Sequence, residues 1–325
     1  MPTYDELAHA DPPHSAWEFF GRQDQRGTIN FLTPARVRDA ARLIVAGRQF
    51  GLDYPINAFE PYPTGTRPAT QHHVWGNNDY HRDDRLDSFH LQSTSQLDAL
   101  RHIGHPSYGF YNGLSTEDNS PGSTRLGIQH WAETGIAGRG VLLDVPRFFA
   151  AHGREYDCET TVVLDMSTVD AVARYQGVSW VGGDLLLLHT GWAANYTAKS
   201  TAERAEFNRR NRSPGLAQRE ETLRWLWDHE IALVASDTPA VEADPVIDSD
   251  FRLPGQAPPP RGVDHDGMLH RPLIALLGMA MGELWKLDEL AADCARDGRY
   301  EFFLTAKPLN VPGGVGSPPN AIAFK

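Results

Sequence analysis

Two hydrophobic patterns alternate along this chain of 325 residues. TPARVRDAARLIVAG, residues 33–47, has helical spacing, with Thr33 at an N-cap, Pro34 at the first helical position and Gly47 as the stop. It predicts a helix. RGVLLDV (139–145), DLLLLHTGW (184–192) and IALVASD (231–237) are continuous apolar runs bounded by Gly, Pro and Asp. They are too short for independent helices and suit buried strands. The alternation of the two patterns predicts a mixed α/β domain, with candidate chemistry at the polar strand ends. Residues 239–267, rich in Pro, Gly and Asp and without periodicity, read as a long ordered loop or lid rather than an interdomain linker. No internal repeat is present.

Charge narrows the partners. Thirty basic against forty-two acidic residues leave a formal charge of -12, which repels nucleic acid and anionic membrane surfaces. The one dense basic cluster, RRNR at 209–212, ends a polar helix-like stretch and reads as a solvated helix end or subunit contact. The first thirty residues lack a basic then apolar leader pattern, and no run approaches the roughly 18 apolar residues of a membrane span. The expectation is a soluble, cytoplasmic protein acting on a small molecule. Cys158 and Cys294 lie far apart without metal-ligand spacing, so both read as buried thiols in a reducing compartment.

The candidate chemistry lies in HLQSTSQLDALRHIGH, residues 90–105. Were 90–98 a strand, Gln92, Thr94, Gln96 and Asp98 would share one face. Such a face is either solvent-facing or gathered around an ion that takes oxygen ligands. His102 by itself reads as a hydrogen-bonded loop histidine. A second polar stretch, QHHVWGNNDYHRDD at 71–84, is a dense set of histidines and aspartates and reads as surface or pocket rim before it reads as a metal site. A Ser/His/Asp hydrolase is disfavoured, because Val315 and Pro319 stand where a G-x-S-x-G elbow around Ser317 needs glycines. GGVG at 313–316 leaves no room for the βαβ unit of a dinucleotide site.

Residues 92–102 align without gaps to H-x-G-T-H-x-D-x-P-x-H, and on this basis the chain resembles the cyclase-like metal hydrolases, which include bacterial kynurenine formamidase and isatin hydrolase. Asp98 and His102 match the aspartate and final histidine, whereas Gln92 and Gln96 replace the first two histidines. The pattern Q-x-x-x-Q-x-D-x-x-x-H is similar to that of the trans-dienelactone hydrolase subgroup. NFLTPARVRDAARL, RGVLLDV, GGDLLLLHTGW, SDTPAVE, HRPLIALLGMAMGELWKLDEL and KPLNVPGGVGSPPNAIAF follow in family-like order.

The resemblance implies a single hydrolase domain over 1–325 with an N-terminal extension and the loop at 239–267. Its core would be a mixed sheet or barrel-like β core with flanking helices, of the swivelling β/β/α type. It also implies one or two divalent metal ions, zinc or manganese, held by Asp98 with Gln92, Gln96, His270 and Glu283, and a proton transfer by His102. Taken singly, His270 would be a helix-start residue and Glu283 a solvated helix charge. A glutamine oxygen is a neutral, hard ligand weaker toward zinc than imidazole, so such a site leans on Asp98 and the later ligands. The implied reaction is metal-assisted opening of a lactone or cyclic amide, with an arylformamidase-type amidase and a metal-free binding protein of the same fold as rivals. Trp75, Phe110, Tyr111 and Trp192 are candidate stacking residues, though aromatics beside strands are commonly core. An oligomer is suggested by the resemblance alone.

Overall fold

The computed structural model describes residues 1–255 and 265–325. Its strands, in chain order, are β1 (Gln49–Gly51), β2 (Gln71–Asn78), β3 (His81–Asp87), β4 (Gln96–Asp98), β5 (Ile136–Asp144), β6 (Val163–Leu164) and β7 (Leu185–His189). There follow β8 (Gly215–Leu216), β9 (Leu233–Ser236), β10 (Ala280–Glu283), β11 (Glu301–Ala306), β12 (Gly316–Ser317) and β13 (Ile322–Phe324). Nine of them form one mixed sheet in the order β1-β13-β11-β5-β7-β9-β10-β4-β12, curled into a half-barrel with helices on its flanks. The pairs β5–β7, β7–β9 and β9–β10 are parallel, and the outer pairs are antiparallel. The mixed α/β expectation is met.

The three apolar runs are the parallel centre. Leu142, Leu187 and Val234 are fully buried along with their neighbours, as expected of strands covered on both faces. The helix Met166–Gln176 covers one side through Val169, Val172, Ala173 and Gln176, spaced as one helical face. Its Asp165 cap accepts from Thr168 N at 2.7 Å, and Gln176 clips it to β5 by donating to the Leu142 carbonyl at 2.6 Å. The predicted helix over 33–47 is shorter than its pattern. It runs Pro34–Ala40, capped by Thr33, and tightens into a 3-10 turn over Ala41–Leu43, leaving Ile44 and Val45 exposed. Arg299 donates to the Leu43 carbonyl at 2.9 Å and Ala46 N to the Lys325 carbonyl at 3.1 Å, so bonds to the C-terminal part of the chain take the place of a further helical turn.

A cationic clamp sits at the carboxyl ends of the parallel strands. His189, ending β7, faces Asp144 Oδ1 at 3.2 Å and Asp288 Oδ1 at 3.3 Å. Burial alone would lower its pKa, but the hydrogen bonds to the two carboxylates and the charge of Asp237 raise it to about 10. Asp288 also accepts from the Tyr54 hydroxyl at 3.1 Å, and Tyr54 N donates at 2.8 Å to Oγ of Ser95, the residue before β4. Because the folded pKa lies above the unfolded value of 6.5, this stabilisation is complete below about pH 6.5 and is lost as pH rises through about 10. Urea unfolding should therefore show stability declining between pH 7 and pH 9.5 in the wild type, with that slope flattened in His189→Gln. An equal slope in both proteins would remove His189 as its source.

The stretch at 71–87 is a projecting two-stranded hairpin, β2 with β3, in which His72 pairs with Asp84 and His73 with Asp87. The surface reading of its histidines holds. The basic cluster at 209–212 ends the helix Thr201–Arg210, and Arg209 and Arg210 are exposed. Cys294 is buried, whereas Cys158 is only half-buried, a departure from the expected pair of buried thiols. No helix among the described residues is long and apolar enough to cross a membrane. Of the predicted loop at 239–267, residues 256–264 lie outside the described residues.

Candidate metal centre

The strand expected over 90–98 is reduced to Gln96–Asp98, but this short strand is held on both sides. Asp98 lies opposite Met281 of β10 and Gly316 of β12. Gly316 is required by proximity, since a side chain there would stand 2.7 Å from Gln92 Cγ. Upstream, the chain turns, so the four polar groups do not share a face. Thr94 Oγ1 donates to the Tyr54 carbonyl at 3.3 Å, and Ser95 Oγ donates to the Leu284 carbonyl at 2.6 Å. Gln92, Gln96 and Asp98 are all buried, which rules out a solvent-facing row.

Three ligand-type side chains converge. Atoms of Asp98, His270 and Glu283 lie within 4.8 Å of one another, and all three residues are buried. Glu283 ends β10, whose register places it opposite Gln96, and His270 precedes a π-type turn over Arg271–Leu276. Read singly, Glu283 suited a solvated helix charge, but the chain after His270 forms a turn, then β10, then a helix from Asp288, so Glu283 is a buried strand-end carboxylate. His270 Nε2 is 2.9 Å from Glu283 Oε1 and 3.7 Å from Asp98 Oδ2. Asp98 Oδ2 is buried without a hydrogen-bond partner. An orphaned carboxylate oxygen facing an imidazole and a second carboxylate is costly unless something cationic meets it. The donor set of two oxygens and one nitrogen fits a divalent ion such as zinc or manganese.

The remaining contacts define the neighbours of this trio. Gln92 Nε2 donates to Asp98 Oδ1 and to His102 Nε2, the latter at 3.2 Å, and Gln96 Nε2 donates to Glu283 Oε2. As placed here the amides orient the carboxylates, while rotation about the terminal torsion exchanges the amide oxygen for the nitrogen. Glu242 binds the far side of His270: Oε1 meets Nδ1, and Oε2 accepts from Leu269 N. Burial raises the Asp98 carboxyl, and burial together with the charge of Asp98 raises that of Glu283. Burial alone would lower His270, but Glu242 and Glu283 hold it well above its ordinary value. His102 lies 3.8 Å from Asp98 Oδ1, and burial followed by the nearby His270 charge pushes it down to about 3, leaving its imidazole neutral.

Asp98, His102, His270, Glu283 and Gln96 line a cavity of about 720 Å³. The four proposed stacking residues do not. Trp75 is half-exposed on β2 and donates to Asn77, and Tyr111 is core with its hydroxyl on Asp24 at 3.1 Å. Phe110 packs over Gly104, and Trp192 stacks on Tyr196 behind the wall at 5.0 Å between ring centroids. Tyr62 is the Phe, Tyr or Trp among the described lining residues. Sequence reasoning passed over Tyr62, Arg67 and Glu242. Glu242 had a usable signal, a single carboxylate in the otherwise apolar AVEA.

A family model described as a putative cyclase matches residues 50–243, more than half of the chain. The protein belongs to this cyclase family. The match spans Gln92 to His102 and closes just past Glu242, before His270 and Glu283. A solved structure described as a novel cyclase is 33% identical, aligns over 96% of this chain and 99% of its own, and superimposes with a TM-score of 0.80. The fold is shared more widely. Isatin hydrolase A from Ralstonia solanacearum (15% identity, 90% of this chain and 97% of that chain, TM-score 0.56) has it. So does isatin hydrolase A from Labrenzia aggregata bound to benzyl benzoate (15%, 85% and 93%, 0.54). A search of curated proteins finds no match.

Proposed function

We propose that the protein is a metal-dependent hydrolase that opens a lactone or cyclic amide by adding water to its carbonyl carbon. The observation that carries this reading is the buried Asp98–His270–Glu283 trio, with its unpartnered Asp98 oxygen, in the wall of a cavity large enough for a small substrate. Asp98, His270 and Glu283 would hold the ion, with Gln92 and Gln96 orienting the two carboxylates. When bound, a divalent ion supplies Lewis acidity and lowers the pKa of water.

The chain's own groups do the rest. His102, neutral and within reach of Asp98 and Gln92, takes a proton from the attacking water at Nε2, in place of the hydrogen bond that Gln92 donates there, and passes it to the leaving oxygen or nitrogen. Glu242 fixes the ring orientation of His270, so that Nε2 faces the carboxylates. Isatin hydrolases, named for an aromatic cyclic amide substrate, share the fold, and that likeness supports the cyclic amide arm of the proposal. Among the described lining residues Tyr62 alone offers a phenyl or indole face, which favours a polar, non-aromatic substrate and weighs against an arylformamidase.

Protein purified without chelators is expected to carry about one divalent ion per chain and to lose hydrolysis on chelation. Assay against a panel of lactones, cyclic amides and aryl formamides identifies the bond. A fully active metal-free sample would sink the proposal. Substoichiometric metal with no hydrolysis would favour the metal-free binding protein, a rival that draws on the amides already bonded to one oxygen of each carboxylate.

A further inference from the structure

Arg67 reaches the cavity from the turn PYPTGTR and is held by one edge. Its Nη1 donates to the Tyr62 hydroxyl at 2.6 Å, to the Gln92 carbonyl and to Gln96 Oε1 at 3.4 Å. Its guanidinium carbon lies 4.6 Å from the Tyr62 ring centroid, a cation–π seat. Among the described residues no acceptor meets Nε or Nη2. A guanidinium is a planar fork of five N–H donors, so anchoring through Nη1 leaves the outer edge open in a wall it shares with Asp98, His270 and Glu283. A fixed cation beside a site suited to a divalent ion is repulsive unless an anion lies between them.

We infer that Arg67 is the oxyanion-binding residue of this site, its open guanidinium edge taking the oxygen that gains charge when water adds to the substrate carbonyl. The inference rests on the hydrolase reading above. In that step the water oxygen bonds to the carbonyl carbon, and the carbonyl electron pair moves onto the oxygen that Arg67 holds. The pair then returns as the bond to the ring oxygen or nitrogen breaks, and that atom takes the proton carried by His102. The same edge then holds the product carboxylate. Donors fixed before reaction stabilise such charge without reorganising, and the stacked Tyr62 with the Gln92 and Gln96 contacts supplies that fixation. Lysine would keep the charge but lose the fork.

Calorimetric titration of the zinc-loaded full chain with methylphosphonate and with acetate tests this directly, the first probing the tetrahedral oxyanion and the second the planar carboxylate. Arg67→Gln is expected to bind both at least about tenfold more weakly while holding zinc at least as tightly as the wild type, and its kcat should fall about a hundredfold or more with KM little changed. Arg67→Lys should bind methylphosphonate with intermediate affinity, and it serves as the comparison where Arg67→Gln does not fold. Anion affinities equal to wild type in the variant, or no anion binding by the wild type, would overturn the inference. If anion binding follows Arg67 but no lactone or amide is opened, the hydrolase reading fails and the anion site stands.

Discussion

Asp98→Ala is expected to lose the metal and to cut hydrolysis by about three orders of magnitude or more, because it removes the carboxylate whose free oxygen faces His270 and Glu283. The fold should survive. Asp98 lies on a strand paired on both sides, and its backbone bonds to β10 and β12 do not involve the side chain. Its ionised form is also unfavourable in the protein: burial raises the carboxyl, and the Asp98 charge in turn raises that of Glu283. A group whose folded pKa is raised opposes folding at neutral pH, so metal-free Asp98→Asn should melt no lower than metal-free wild type. Elemental analysis, a lactone assay and paired melting curves test the three parts separately. Retained metal and full turnover in Asp98→Ala would refute the ligand assignment.

Glu242→Gln is expected to weaken metal affinity about 10- to 100-fold, the usual cost of disturbing a carboxylate behind a ligating histidine. The substitution keeps the shape and an acceptor for Leu269 N, but it removes the charge that reinforces His270 through Nδ1. Because Glu242 is absent from the cavity wall, turnover at saturating metal should fall much less than affinity. Calorimetry with zinc and a metal-saturation curve of activity separate the two. Unchanged affinity would mean that His270 needs no such support.

The parts of this molecule that could be read from sequence are those set by local chemistry. Continuous apolar runs around Leu142, Leu187 and Val234 mark strands because burial on both faces admits little else. Thr33 and Pro34 mark a helix start because Thr33 Oγ1 accepts from the Arg36 amide and Pro34 has no amide hydrogen to leave unpaired. The helix end was hidden, since whether the turns after Ala40 persist depends on packing partners elsewhere. Asp98 was legible through its spacing to His102 and to two glutamines. Arg67 was not, because one arginine in a Pro-, Thr- and Gly-rich turn carries no period and matters only through the contacts its fold creates. The stacking aromatics erred for a related reason. Tyr111 and Trp192 fill space behind the motifs, and sequence proximity does not distinguish the front of a wall from its back.

The centre joins remote parts of the chain: Gln96 and Glu283, bonded side by side, are 187 residues apart. Closing so long a loop carries an entropic cost that local contacts do not offset, so pairings of this kind form late. The sheet must thread β4 between β10 and β12 before Asp98 and Glu283 meet. During refolding, the ion proposed for these side chains would therefore be captured only after the half-barrel assembles, so that metal uptake would serve as a clock for the completion of topology and not as a trigger for collapse.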